Sequence, residues 1–458
     1  MCCVWSMPWV GGFNSLVCPL QALKAPQGVT NMARELEVWL FTERVGTLTL
    51  TDGRLTFRYS PDWLLRRDAV ALSSFFPLQA EAFDDHHTRP FFAGLLPEGQ
   101  LRRLIARQLQ VSSQNDFALL DYLGGECAGA VSLLEPGQGL PSPDQGAEVQ
   151  WLNDEEVVAI LDELPHRPML AGRDGLRLSL AGAQDKLPVV FDGTRFGLPR
   201  NGTPSSHILK PAIRALADTV TNEGFCLALA ETMNLKPAKS RVHSLSGRRF
   251  LMVERYDREA DAQGFRRRLH QEDFCQALGV VPEAKYQNEG GPGLRQCFDL
   301  VRRVTRPSAP QVLRLFDYVI FNALIGNHDA HAKNFSLLFV DGAAVLAPLY
   351  DVLSTAVYPN LTPNMAMKIG SKYKFSELQA RHWEQFAEAV GLGKAQARKR
   401  ILTFANSLPR AARGLQSDTA RGFTDQVVVE QIVTLIEQRC ALTVRRFSSS
   451  TGGIPPSA

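Results

Sequence analysis

The stretch from Gly326 to Asp351, GNHDAHAKNFSLLFVDGAAVLAPLYD, constrains local geometry more than any other part of the chain. Upstream of it, Leu313, Phe316, Ile320, Ala323 and Leu324 recur at three- and four-residue steps, which predicts a helix with one buried stripe, and Gly326 is its natural stop. Downstream, FSLLFV and AAVLAPL are apolar runs joined by Asp341-Gly342. Both positions of a tight hairpin turn need positive φ, so this pair predicts that the second run folds back on the first. In that register Val340 faces Ala343, Lys333 faces Tyr350 and Ala332 faces Asp351, with opposed residues roughly 5 Å apart. Asp351 thus returns to the polar loop that carries Asp329, His331 and Asn334. Two acids and an amide at one end of an apolar hairpin are costly to hold together, and a divalent cation among them relieves the cost.

An Asp, an Asn five residues on and a second Asp at the end of a hairpin is also the order of the protein-kinase catalytic segment. There the first Asp orients the attacking hydroxyl, and the Asn and second Asp hold Mg²⁺. On that reading Asp329 is catalytic and Asn334 and Asp351 bind the metal. The sequence departs from the pattern at His328, where it has Arg, and at Val352-Leu353, where it has Phe-Gly. Two other readings stay open on these residues alone. His328, Asp329 and His331 could be zinc ligands of a hydrolase, although they lack the helical i, i+4 spacing of such motifs and have no His or Cys cluster nearby. The loop could also be a satisfied polar cap on a hairpin.

At 458 residues the chain has room for two or three domains and a large core. Its 50 basic and 47 acidic residues leave a net charge of +3, too nearly balanced to imply a broad nucleic-acid footprint. Any DNA association must therefore run through a local patch or a partner. Eight scattered cysteines with no CxxC pair suit a reducing cytoplasm and predict no disulfides. Residues 1–31 hold one charged side chain, Lys24, and their apolar runs are broken by Pro8, Gly11-Gly12 and Asn14. They predict an unstructured extension, neither a signal peptide nor a membrane helix, with the first domain starting at Met32.

From Glu35 to Tyr59, alternation broken at Asp52-Gly53 predicts antiparallel strands that open a small N-terminal domain over 32–137. Pro97-Glu98-Gly99 ahead of Leu101, Leu104, Ile105 and Leu109 predicts an amphipathic helix, and Phe117 to Leu123 a second. The run EPGQGLPSPDQG predicts a linker over 138–150, followed by a second region over 151–447. In that region the loop Ser179 to Lys186 leads into another Asp-Gly hairpin and sits where a kinase covers nucleotide phosphates. HILKP then ends in Lys210, in the order expected of a phosphate-neutralising lysine. The helix TNEGFCLALAETMNL buries Phe225, Ala228, Leu229 and Met233 and carries Glu223 near its start, a candidate ion-pair partner for Lys210. FLMVERYDR reads as a buried strand running to Glu254, Arg255 and Tyr256, where backbone edges could meet an adenine. A lone loop glycine or a lone lysine is more often structural or solvated. The serial order of all these features is that of a bilobal kinase. Beyond Asp351 the chain turns helical. Ser376-Glu377-Leu378-Gln379 reads as a capping box ahead of Trp383, Phe386 and Val390, with Gly391 as a stop, and residues 448–458 as a disordered tail.

Taken together, FFAGLLPEG, GGECAGAV, SLAGAQDK, HILKP, VERYDR, QEDFCQALG, PEAKYQNEGGPG, GNHDAHAKNFS and PLYD resemble the HipA family, the serine/threonine kinase toxins of bacterial type II toxin–antitoxin modules. The similarity runs from Leu36 to Phe447. It implies an α+β, bilobal protein-kinase-like fold with a small β-rich N-terminal subdomain and a helical C-terminal lobe. It implies Asp329 as proton acceptor, Asn334 and Asp351 as Mg²⁺ ligands, and Ser179 as an autophosphorylated serine. ATP contacts would come from Ala181, Gly182, Ala183, Gln184, Asp185 and Lys186, from Lys210, from Glu254, Arg255 and Tyr256, from His331, Ala332, Lys333 and Asn334, and from Tyr350 and Asp351. The implied partners are a HipB-like helix-turn-helix antitoxin, operator DNA mainly through that antitoxin, and a protein substrate. The family's substrate class is an aminoacyl-tRNA synthetase, notably the glutamyl enzyme, whose phosphorylation stops charging and brings growth arrest and persistence. The implied location is the cytoplasm, away from membrane. The rival reading is a non-catalytic pseudokinase that binds antitoxin and operator DNA as a corepressor. The retention of Asp329, Asn334, Asp351 and Lys210 argues against it.

Overall fold

Alternating apolar residues build the first sheet of the computed structural model, which describes residues 34–140, 148–173, 175–260 and 266–449. The extension expected over 1–31, residues 141–147 of the expected linker and residues 450–458 of the expected tail lie outside the described residues. Strands β1 (Arg34–Leu40), β2 (Glu43–Thr51), β3 (Arg54–Tyr59) and β4 (Val131–Leu134) pair antiparallel in the order β3-β2-β1-β4. The β2–β3 turn has Asp52 at φ 51° and Gly53 at φ 76°, the left-handed pair the sequence predicts. Helices α1 (Asp85–Ala93), α2 (Gly99–Gln108) and α3 (Asp116–Leu123) bury Phe91, Phe92, Ile105, Phe117 and Leu120 in one cluster with Leu36, Val38 and Phe57 of the sheet.

A second, wholly antiparallel sheet follows, in the order β5-β7-β6-β8-β10-β9. Its strands are β5 (Val149–Trp151), β6 (Leu187–Phe191), β7 (Phe196–Pro199), β8 (His207–Pro211), β9 (Ser240–Leu245) and β10 (Arg248–Glu254), with helix α4 (Thr219–Thr232) between β8 and β9. Leu187, Val189, Leu198, Leu209 and Phe250 of this sheet belong to the same apolar cluster as the first. The N-terminal sheet and the small-lobe sheet therefore share one core. Two short strands, β11 (Arg258–Ala260) and β12 (Arg266–Arg268), lead to a three-stranded sheet of β13 (His270–Asp273), β14 (Ser336–Val340) and β15 (Ala343–Leu346).

The large lobe is helical: α5 (Leu294–Val304), α6 (Ser308–Ile325), α7 (Ala380–Ala389), α8 (Lys394–Ser417) and α9 (Val427–Ser449). The sequence predicts one buried stripe on α6. The structure buries α6 all round from Leu315 to Ile325, because α5, α8, α9 and β15 cover it from several sides. The capping box expected at Ser376–Gln379 is displaced. Buried Phe375 and Leu378 hold Ser376 and Glu377 in a 3₁₀ turn, and α7 starts at Ala380, where His382 Nδ1 accepts from the Gln379 N–H at 2.9 Å. Trp383, Phe386 and Val390 are buried as expected, and Gly391, at φ 67°, ends the turn. No described helix is long and apolar enough to cross a membrane.

Candidate active site

Helix α6 delivers the catalytic-segment loop and stops at Gly326, φ 81°, where a Cβ would stand 2.7 Å from both Ala356 Cβ and Leu435 Cδ2. The loop then closes on itself through its own polar groups. Asn327 Oδ1 accepts from the Asp329 N–H at 3.1 Å, and the Asp329 carbonyl accepts from the His331 N–H at 2.8 Å and from Asn334 Nδ2 at 2.9 Å. These bonds fix the backbone on both sides of the Asp329 carboxylate, which is half-buried. Its Oδ1 accepts from Tyr286 OH at 2.7 Å, and its Oδ2 has no hydrogen-bond partner among the described residues.

The expected hairpin forms in the expected register, Val340 opposite Ala343, with Asp341 at φ 50° and Gly342 at φ 78°. Pairing ends at Leu337 and Leu346, so the ladder does not reach Lys333 and Ala332, which fold into a 3₁₀ turn over Ala332–Asn334. A side chain makes the expected meeting instead: Tyr350 OH donates to the Lys333 carbonyl at 2.9 Å. Asp351 then takes the left-handed conformation, φ 52°, and its carboxylate contacts Lys210 Nζ. Lys210, buried on β8, also holds Glu223 Oε1 of α4 at 2.6 Å, the partner its sequence position suggests. Burial works against each of these charges. The Lys210 and Lys186 ammonium groups nonetheless hold Asp351 well below the usual carboxylate range, and Asp351 and Glu223 keep Lys210 charged above the usual lysine range.

A cleft lies between the two lobes. Of the expected nucleotide contacts, Ala181, Lys186, Lys210, Glu254, Arg255, Tyr256, Lys333, Tyr350 and Asp351 border it; Gly182, Ala183, Gln184, Asp185, His331, Ala332 and Asn334 stand back from it. Gly182, φ 109°, lets the loop turn close over Lys186, whose Nζ would lie 2.8 Å from a Cβ there. Lys186 donates to the Ala181 carbonyl, and the buried Asp185 Oδ1 has no partner among the described residues. Ser179 is fully buried, with Oγ donating to the Leu95 carbonyl at 2.8 Å. Arg255 borders the cleft, but its guanidinium is committed elsewhere, to Glu126 at 3.0 Å and Asp257 at 2.7 Å. His331 is buried against the edge of Tyr286, and burial brings its pKa down to about 4, so the ring is neutral near pH 7. His328 engages both ring nitrogens, with the Thr362 carbonyl at 3.1 Å and Arg439 at 3.0 Å, which speaks against the zinc reading. Nowhere among the described residues do three His, Cys, Asp or Glu side chains converge as a metal set.

Two families of sequences match this chain along its length: the HipA-like C-terminal domain over residues 178–412 and the HipA N-terminal domain over residues 36–134. The chain belongs to the HipA family. A Sinorhizobium fredii protein named "Putative kinase Y4mE" is 46% identical over 414 residues, covering 89% of this chain and 98% of its own. The "Serine/threonine-protein kinase toxin HipA" of Shewanella oneidensis is 28% identical over 391 residues, covering 82% of this chain and 88% of its own. The solved Shewanella oneidensis MR-1 HipA, in its toxin–antitoxin complex with HipB and operator DNA, superimposes with a TM-score of 0.77 at 25% identity, covering 90% of this chain and 98% of that one. This HipA-family chain has the protein-kinase-like fold and is a serine/threonine kinase.

Four residues that sequence reasoning left without a role stand at the site of this HipA-family member. Lys333 Nζ pairs with Asp273 Oδ2 at 2.6 Å and lies 3.8 Å from Glu98 Oε1. Burial opposes its charge, but these two carboxylates keep it raised above the usual lysine range. Glu98 also takes Lys285 at 2.7 Å, and the neighbouring Tyr286 bonds Asp329. Both Glu98 and Lys285-Tyr286 lie inside motifs that carry the family resemblance, FFAGLLPEG and PEAKYQNEGGPG, and that was the available signal.

Proposed function

We propose that this chain is the toxin of a type II toxin–antitoxin module, an ATP- and Mg²⁺-dependent kinase of protein serine or threonine hydroxyls. The observation that carries the reading is Lys210, which bridges Glu223 and Asp351 on one wall of the cleft. The residues present fit the nucleotide and its metal. Asp351 and Asn334 offer hard oxygen donors of the kind Mg²⁺ takes in company with phosphate and water. Two buried lysines, Lys186 and Lys210, line the cleft. Asp185 Oδ1 and His331 Nδ1 are buried polar atoms without partners among the described residues.

Bound Mg-ATP supplies the γ-phosphoryl group and disperses the charge that develops on it. The chain's own residues do the rest. Asn334 and Asp351 would hold the metal. Lys210, kept charged by its two carboxylates, would face the phosphates, with Ala181 and Lys186 of the neighbouring loop bordering them. Asp329 orients the substrate hydroxyl on its free Oδ2 and accepts the proton as the hydroxyl oxygen bonds to the γ-phosphorus and the bond from that phosphorus to the ADP oxygen breaks. The proton then passes from the Asp329 carboxyl to solvent.

Family membership supports an aminoacyl-tRNA synthetase, such as the glutamyl enzyme, as the substrate, with growth arrest and persistence as the outcome. It also supports a HipB-like antitoxin as the partner that carries the chain to operator DNA, and action in the cytoplasm. Ser179 fits a self-inactivating switch. Its hydroxyl is buried, so the loop must swing out for Ser179 to be phosphorylated, and a phosphoserine bearing about −1.5 to −2 charges could not return to the Leu95 carbonyl. The loop would then stay off the nucleotide. Brief induction of the native chain and of Asp329→Asn, compared by phosphoproteomics, tests the proposal. New phosphoserine or phosphothreonine on a translation component and on Ser179, present only with the native chain, is the expected result; the same sites with both chains overturns it.

A further inference from the structure

A carboxylate that accepts a proton must present one oxygen in a fixed direction, and the backbone bonds around Asp329 hold its main chain only. Among the described residues, the single hydrogen bond on its side chain comes from Tyr286 OH, 2.7 Å from Oδ1. That leaves Oδ2 to the substrate. We infer that Tyr286 is a positioning residue for Asp329, and that Glu98 of the N-terminal subdomain holds Tyr286 in place through Lys285. The inference rests on Asp329 as the proton acceptor.

The segment around Tyr286 is built to aim its side chain inward. Gly290, φ 94°, reverses the chain, and at Gly291 a Cβ would lie 2.1 Å from the Ala284 carbonyl oxygen, so the turn closes only around glycine. On one side of Tyr286, Gln287 Oε1 accepts from the Lys368 N–H at 2.7 Å, which ties the segment to the large lobe. On the other side, Lys285 Nζ lies 2.7 Å from Glu98 Oε2 and 5.5 Å from the centre of the Tyr286 ring. Glu98 also donates its backbone N–H to the Gly182 carbonyl at 3.0 Å. One residue of the N-terminal subdomain therefore ties both the acceptor end of the site, through Lys285 and Tyr286, and the loop that borders the cleft. Tyr286 serves as a donor and not as a second base: burial and the Asp329 charge push its phenol far above the usual tyrosine range, so it keeps its proton.

The alternative role for the same bond is obstruction, with the phenol holding the carboxylate until substrate displaces it. Obstruction and positioning predict opposite signs for Tyr286→Phe, which keeps the ring against His331 and removes only the donor. The experiment follows phosphate incorporation from radiolabelled Mg-ATP into those proteins of a bacterial lysate that the native chain labels and Asp329→Asn does not. Mg-ATP binding is measured alongside by calorimetry, and folding by thermal melting. Tyr286→Phe is expected to incorporate phosphate about 10- to 100-fold more slowly at saturating ATP, with Mg-ATP affinity and melting temperature close to native. Glu98→Gln is expected to show a smaller slowing of the same kind. If Tyr286→Phe does not fold, Glu98→Gln decides by the same split between rate and nucleotide affinity. An unchanged or faster rate in the deciding variant, with Asp329→Asn inactive, overturns the positioning role alone. Full labelling by Asp329→Asn removes the base assignment and this inference with it.

Discussion

Two clusters of opposite charges border the cleft, made from the same residue types and put to different ends. In the first, Glu126 of the N-terminal subdomain accepts from Arg255, Arg258 and Arg268 and from Ser205, while Asp257 takes Arg255 and the Gly129 N–H. Its side chains are at most 7% exposed, and among the described residues Arg258 Nε is its only buried polar atom without a partner. In the second, Lys210 joins Glu223 to Asp351, and the Asp351 side chain keeps 34% of its surface open to the cleft. Saturation makes the first cluster a clamp between the halves of the chain. The second is held together but left accessible, with oxygen atoms free to exchange partners. Accessibility, more than the number of charges, separates a site from a scaffold here.

Substituting the open cluster should strike activity hardest. Asp351→Asn is expected to lower phosphoryl transfer by about 10³-fold or more, equivalent to several kcal/mol of transition-state stabilisation, with little loss of melting temperature. It should also weaken the Mg²⁺ dependence of ATP binding more than Asp329→Asn does, which titration of Mg²⁺ into each variant measures. Equal Mg²⁺ dependence in the two would erase the distinction between metal ligand and base. The closed cluster should respond in stability instead. Glu126→Gln leaves three guanidinium groups short of a carboxylate and is expected to cost about 3 to 5 kcal/mol in denaturant unfolding, with turnover per folded molecule retained. A turnover loss as large as that of Asp351→Asn would break the comparison.

A buried carboxylate outside both clusters sharpens it. Glu272 accepts from Ser73 Oγ at 2.6 Å and from Ser74 Oγ and N–H, with no cationic partner among the described residues. Burial pushes its pKa up to about 7, and the serine hydrogen bonds only partly offset that. Because the folded state binds this proton more tightly than the unfolded state, the stability contributed by Glu272 is full below its ordinary value of 4.5 and is lost as pH rises through about 7. The stability difference between native protein and Glu272→Gln, read from urea midpoints, should therefore shift against the native protein by up to about 3 kcal/mol between pH 5 and pH 8. A pH-independent difference would show the carboxylate ionised throughout. The smallest effect belongs to Ser179→Ala, which removes one buried hydrogen bond to the Leu95 carbonyl and should cost about 1 kcal/mol in the same measurement.

Local signals in the sequence carried well. Asp341-Gly342 set the hairpin register because the turn leaves one solution, and Gly326 ended α6 because its left-handed conformation and its crowding by Ala356 and Leu435 favour glycine. Lys210 and Glu223 could be paired on paper because they are 13 residues apart, on a strand and the helix that follows. Arg255 lies 129 residues from Glu126 and Lys285 187 residues from Glu98, and no periodicity links positions that distant. The same limit hid Tyr286: its bond to Asp329 spans 43 residues and two lobe segments, and a tyrosine in a Gly-rich turn has no pattern of its own. The capping box failed for a nearer reason. Ser376 has the right spacing, but burial of Phe375 and Leu378 decides where α7 begins.

The apolar cluster that runs from Leu36 through Leu133 into Leu209 and Phe250 has a consequence for how such genes can recombine. Two HipA-type sequences exchanged at the boundary near residues 138–150 would bring together halves of one interior that had drifted apart separately. Mismatched side-chain volumes across such a seam typically cost 1 to 3 kcal/mol per overpacked position. Chimaeras joined there should be selected against by misfolding before any question of antitoxin or target arises, and the N-terminal and kinase segments should be inherited as a pair.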